Sequence, residues 1–266
     1  MQNKICLLIS CFASALISHT YAQTPSLSKL EIAKGDTYVV DSKNQLLVDT
    51  LIMHDKATIV FNPALYGVLE AKAAYIGKKC TITSKGKNGQ DGTGNEHGED
   101  GADGGNLTLT LHFVELQDLT IDTRGGDGGK GVNGKNGQRG MESTTYKVTT
   151  RDAKGKMVSS IVSHPGTSGT AGGNATDGGS GGNGGNTMLV YSTTGFIPIF
   201  NSKRGHNNIT LLYYAGKDGF TGKPGEGGYQ SYDGDVVYKE PKPAHDGRIR
   251  LIDKNAKVVQ SSTRPQ

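Results

Sequence analysis

The chain contains no tryptophan, and in 266 residues it has only 3 cysteines and 8 prolines. The shortages of cysteine and proline each exclude something. Cys6 and Cys11 sit in the N-terminal apolar stretch, so Cys80 stands alone in the rest of the chain. A disulfide-stapled module is thereby excluded. In Lys78-Lys-Cys-Thr-Ile-Thr-Ser84, Cys80 reads as a small buried hydrophobe on a strand rather than a reactive thiol. A collagen triple helix needs proline at about 15–20% or more, far above what this chain carries. Neither sign of charge dominates: the formal net charge is +4, with Lys and Asp interspersed. Without a basic block or interleaved aromatics, nucleic-acid binding has no support. No stretch shows helical periodicity, so the strand–GxGxxG–helix setting of a dinucleotide site is missing as well.

The N-terminus reads as a leader. Lys4 supplies the positive end, an apolar stretch runs from Ile5 to Ile17, and Thr20-Tyr21-Ala22 has the small-residue pattern of a cleavage site. Residues 1–22 are expected to be a signal peptide cleaved near Ala22/Gln23, with the mature protein in the periplasm, secreted or on the outer surface. The apolar stretch is shorter than the roughly 20 residues a membrane span needs. Leu8-Ile-Ser-Cys11 resembles a lipobox, which makes lipidation of Cys11 the rival processing route.

What is abundant is glycine, 40 residues of it, and it is phased. Gly125, Gly128, Gly131, Gly134, Gly137 and Gly140 recur every third residue. Gly86 to Gly104, Gly166 to Gly184 and Gly216 to Gly228 repeat the device, with Asn95 and Ala175 in the missing slots. A left-handed threefold helix has about 3 residues per turn, so these glycines line one edge and allow another backbone to approach. Hydrogen bonds between neighbouring legs would then satisfy the backbone. Asn95 and Asn174-Ala-Thr176, where the phase breaks, are the expected reversals.

Between the glycine runs the chain reads as short strands. Residues 23–85 alternate apolar and polar in segments such as Leu46–Leu51 and Ala57–Phe61, with turns about every ten residues. Leu107–Leu111, Phe113–Leu116, Leu119–Asp122, Met188–Tyr191, Phe196–Phe200, Ile209–Tyr214, 247–252 and Lys257–Val259 continue the series. The expected fold is all-β: a short-stranded β-solenoid or sandwich, with Gly-x-x runs as polyglycine-II helices packed in a bundle. The expected organisation is an N-terminal β domain (23–85), then core strands interleaved with glycine-rich excursions at 86–105, 125–140, 166–185 and 216–234. C-terminal strands and a tail follow at 248–266. Residues 143–163 form two alternating segments around Asp152-Ala-Lys-Gly155, the pattern of a protruding hairpin.

The glycine runs resemble collagen-like Gly-x-y repeats. They are closer to the polyglycine-II bundles of a springtail antifreeze protein, of certain phage tail-tip adhesins, and of the extracellular domain of anaplastic lymphoma kinase receptors. The resemblance is local to the runs and implies a rigid extracellular binding or display module. It assigns no functional residue.

Candidate chemistry is sparse. Gly181-Gly-Asn-Gly-Gly-Asn-Thr-Met-Leu189 resembles a calcium-binding nonapeptide, with Asn183 and Asn186 as ligands and Ca²⁺ as the candidate ion. Asp233 and Asp235 are the closest carboxylate pair outside the runs. The leading expectation is an exported, non-enzymatic structural or adhesion protein. Its partner would be a glycan, a cell envelope or another protein, with contacts through Tyr146, Lys147, Arg151 and Lys156. The alternatives are a β-helix carbohydrate-active enzyme, which needs convergent carboxylates, and an ice- or crystal-binding protein.

Overall fold

The computed structural model describes residues 26–202 and 206–255. The leader, Cys11 and the Lys257–Val259 strand lie outside these residues. The described chain is all-β: β1 (Leu27–Ile32), β2 (Thr37–Val39), β3 (Gln45–Met53), β4 (Thr58–Val60), β5 (Gly67–Ile76), β6 (Cys80–Thr83), β7 (Leu107–Leu116), β8 (Asp118–Asp122), β9 (Thr144–Arg151), β10 (Met157–His164), β11 (Ala175–Thr176), β12 (Thr187–Thr193), β13 (Ile199–Phe200), β14 (Asn208–Leu212), β15 (Val236–Val237) and β16 (Ile249–Asp253).

Twelve of these strands form two parallel six-stranded sheets, and the chain alternates between them except at β13 and β14, which follow one another in one sheet. One sheet runs β1-β3-β5-β7-β12-β16 and the other β2-β4-β6-β8-β14-β13. Both are open at their ends, so neither closes into a barrel. Alternating residues of each strand point between the sheets, as a pleated strand requires. They form a single core of aliphatic side chains around Phe61 and Phe113, including Leu51, Ile59, Leu69, Ile82, Leu109 and Ile121. Cys80 is buried in this core, and burial pushes its thiol pKa up. Leu107–Leu111 and Phe113–Leu116, two segments in the sequence reading, are the single strand β7. Phe196–Phe200 contributes only the two residues of β13.

The glycine runs leave the C-terminal ends of β6, β8 and β14 and return to the starts of β7, β12 and β16. The strand register carries on into them. Asp127 N–H donates to Asn88 Oδ1, 39 residues earlier, the offset at which Thr83 pairs with Asp122. Lys217 N–H donates to Asp127 Oδ1 across 90 residues, the offset of β8 and β14. Asn183 N–H donates to Asp103 Oδ1 across 80 residues, the offset of β7 and β12. The outgoing legs thus extend one sheet and the return legs extend the other. Between these layers, antiparallel bonds join outgoing to return legs, such as Gly182 N–H to the Gly126 carbonyl at 2.9 Å. At the root of the second excursion the buried Thr123 hydroxyl donates to the Gly185 carbonyl.

Glycine doublets mark the legs approached from more than one side. A Cβ on Gly128 would lie 2.0 Å from the Gly179 carbonyl oxygen, and one on Gly129 would lie 1.8 Å from that of Gln90. The first excursion turns at Thr93–Glu96, with Gly94 at φ +62. Beyond that turn the doublet is no longer needed, and Val132 takes its place. The expected reversal at Asn174–Thr176 does not occur. Ala175 and Thr176 form β11, which runs on in parallel with β15. Gly172 and Gly178, in phase on either side of Ala175, face the third outgoing leg at Gly225 and Gly219, whereas Thr176 meets the turn of the first excursion. Thr176 Oγ1 donates to the Glu96 carbonyl at 2.9 Å and accepts from Val132 N–H. The second excursion reverses through the hairpin, and the third reverses near Gln230, at φ 53. Pro224 lies on the third outgoing leg, the outermost of the stack, where a missing N–H interrupts no inter-leg ladder.

Candidate functional site

The structure places β9 and β10 as an antiparallel pair, with Asp152 Oδ1 accepting from the N–H groups of Lys154 and Lys156 in the turn. The hairpin grows from the tip of the second excursion, where Met141 bridges Thr167. Nearly every residue of both strands is exposed. Cross-strand pairing sorts the expected contact residues. Lys147 stands opposite Ile161 and Arg151 opposite Met157 on one face. Ile161 is 76% exposed and Met157 57%. Tyr146 stands opposite Val162 on the other face, stacked on His164 with its hydroxyl 2.9 Å from Nε2. Lys156 belongs to the turn. The four residues therefore do not converge; Lys147 and Arg151 share a face that Tyr146 does not. A cleft of about 750 Å³ lies at the hairpin root, between Arg139, Glu142, Thr144, Glu226 and Tyr229.

Asn183 and Asn186 sit on the outer edge of the second return leg. Asn183 Oδ1 accepts from His245 N–H and its Nδ2 donates to Asp103, while Asn186 Oδ1 accepts from Arg248 N–H. Their side-chain oxygens serve the stacking of legs. Among the described residues no three His, Cys, Asp or Glu side chains converge as a metal site. Asp233 Oδ1 caps the third reversal by accepting from Gly227 N–H. His112 bonds Ser192 Oγ through Nδ1 at 2.7 Å and Thr194 Oγ1 through Nε2 at 3.1 Å. Hydroxyls occupy both ring nitrogens, and among the described residues no carboxylate orients the ring.

Asp100 is the most perturbed acid in the bundle. A hydrogen bond from Lys239, then bonds from Ser180 N–H and Lys242, hold its carboxyl at about 2 against the desolvation of the site. It ties the third return leg to the first.

Two surface features escape a reading of the sequence. The first is a rank of threonines on the outer face of the second sheet. Thr37 pairs with Thr58, Thr58 with Thr81, Thr81 with Thr120 and Thr120 with Thr210. The signal was present as TYV, TIV, TIT, TID and TLL at the ends of successive strand pairs. The second is a cleft of about 560 Å³ beside the root of the bundle, lined by Tyr66, Asn106, Asn186 and Arg248 among others. Its residues come from four segments far apart in sequence, so only the register reveals it. No helix among the described residues is long and apolar enough to cross a membrane. Comparison with family models, curated proteins and solved structures finds no match to this chain.

Proposed function

We propose that this is an exported, non-enzymatic structural or adhesion protein. In this reading a short-stranded β-solenoid carries a polyglycine-II bundle, and the bundle holds the β9–β10 hairpin out toward a glycan, an envelope component or a partner protein. The observation that carries the reading is the hairpin itself. A two-stranded hairpin is marginally stable in water, yet this one buries almost nothing and exposes Ile161 and Met157 beside Lys147 and Arg151. At about 3.1 Å per residue, a leg of the length of 124–140 sets it roughly 50 Å from the core. An apolar, cationic surface on a rigid arm suits contact with something outside the molecule. Replacing residues 144–164 by a short Gly-Ser turn should lower binding of the labelled protein to cell-envelope preparations at least ~10-fold, as loss of an interface anchor does. Far-UV circular dichroism of the core should persist. Unchanged binding would sink the proposal.

The threonine rank favours a second reading, an ice- or crystal-binding face. Neighbouring strands lie about 4.8 Å apart, so the five residues form a regular comb of hydroxyl and methyl groups. Val39, Val60 and Thr83 extend the comb sideways, as far as the Asp122–Arg124 ion pair. On this reading Thr81→Lys abolishes thermal hysteresis that the parent protein shows. Absence of hysteresis in the parent rules it out.

A further inference from the structure

The cleft beside the bundle root is a site built from hydrogen-bond donors. Tyr66, Asn106, Asn186 and Arg248 occupy equivalent positions on four stacked segments, because Gly67, Leu107, Thr187 and Ile249 are register partners. Asn106 Oδ1 accepts from Asn186 N–H, and Asn186 Oδ1 accepts from Arg248 N–H. Each amide oxygen is therefore consumed, and each Nδ2 remains as a donor with no partner among the described residues. Arg248 and Arg250 are two residues apart on an extended strand, so they emerge on the same side. Neither makes an ion pair among the described residues. No acid among the described residues lines the cleft. At the opposite end Tyr66 is exposed, with its hydroxyl bonded to Thr108, which fixes the ring against the sheet. Met188 lies on the floor between them.

We infer that this cleft binds an acidic glycan, with a sugar ring stacked on Tyr66 and a carboxylate on Arg248 and Arg250. The spacing supports this choice. Tyr66 and Arg248 are three strand spacings apart, about 14 Å, which suits neighbouring sugars of one chain rather than a lone small anion. Two guanidinium groups present a fork of donors matched to a carboxylate. The amides of Asn106 and Asn186 are placed to donate to ring or hydroxyl oxygens between the two ends. The inference rests on the exported, glycan-contacting reading and names a ligand class for it at a surface other than the hairpin.

The test is calorimetric titration of the protein with a short linear oligogalacturonate, with its methyl-esterified form and with inorganic phosphate. The oligogalacturonate binds, and added NaCl weakens it. The ester binds at least ~10-fold more weakly, as loss of a charge-assisted contact predicts. The double substitution Arg248→Gln and Arg250→Gln lowers affinity for the acid to that of the ester. Tyr66→Ala weakens both sugars. A parent protein that does not bind the oligogalacturonate overturns the inference, as does a double variant that binds like the parent. Phosphate binding as tightly as the sugar acid marks a plain anion site and overturns it too. Repeating the titration on the hairpin-replaced protein separates the two proposals, because loss of envelope binding there leaves oligogalacturonate affinity intact.

Discussion

Gly129→Ala destabilises the protein by about 3 kcal/mol, the upper part of the range for overpacking. The added Cβ falls 1.8 Å from the Gln90 carbonyl oxygen, and 2.3 Å from its carbon. Those atoms are backbone, held by the first outgoing leg, so no rotamer change relieves the clash. The leg must move away, and two bonds to this region stretch with it: Gly129 N–H to the Glu99 carbonyl and Gly179 N–H to the Gly129 carbonyl. Val132→Ala is the internal control. It occupies the same slot one period later, beyond the turn of the first excursion. Its cost is that of trimming a half-buried side chain, under about 1 kcal/mol. Urea unfolding of the two variants measures the difference. Equal stability of both would mean that the legs are not packed on each other.

Asn44→Ala costs about 2–3 kcal/mol, because it combines lost hydrogen bonds with backbone strain. Asn44 is fully buried yet polar. Its Nδ2 donates to the carbonyls of Asn62 and Leu65, both at 3.1 Å, and its Oδ1 accepts from Asn62 N–H at 2.8 Å. One side chain thereby shapes the whole 62–66 turn and delivers Tyr66 to the sheet face. The residue also sits at φ 56, a left-handed conformation that asparagine tolerates and alanine resists. Asn44→Gly separates the two contributions: it removes the bonds and relieves the strain, so it should be about 1 kcal/mol less damaging than alanine. Thermal unfolding of the three proteins reads this order. If alanine and glycine prove equal, the strain component is absent.

The parts of this molecule visible in its sequence are those specified by local pattern. Alternation in Leu107–Leu111, and turns such as Lys34-Gly35-Asp36, announce short strands without helices. The glycine phase announces legs that approach one another closely, and Asp152–Gly155 announces the β9–β10 turn. What the sequence conceals is register. Asn183 reads as an ion ligand, and Asn88, Asp103 and Asn106 carry no signal of their own, because nothing local shows that each meets an N–H group on another leg. Their partners lie 39, 80, 80 and 62 residues away. The lapse of phase at Ala175 suggested a reversal for the same reason. Ala175 instead lies on β11, paired with β15, a neighbour that a one-dimensional pattern does not display. The donor cleft is hidden still further, since Tyr66 and Arg248 meet only when four segments are laid side by side. Asn44 resembles any turn asparagine until its three bonds are counted.

The measurement that tests the central claim most directly is residue-resolved amide hydrogen exchange across 86–140 and 166–228. If the glycine legs form a rigid bundle that continues the two sheets, amides such as Gly101, Gly128, Gly131 and Gly182 are protected. Each donates to a neighbouring leg, and their protection should approach that of core strand residues such as Leu109 and Ile121. Exchange of those glycine amides at the rate of an unstructured chain, beside a protected core, would contradict it. The arm that holds the hairpin out would then be a flexible tether.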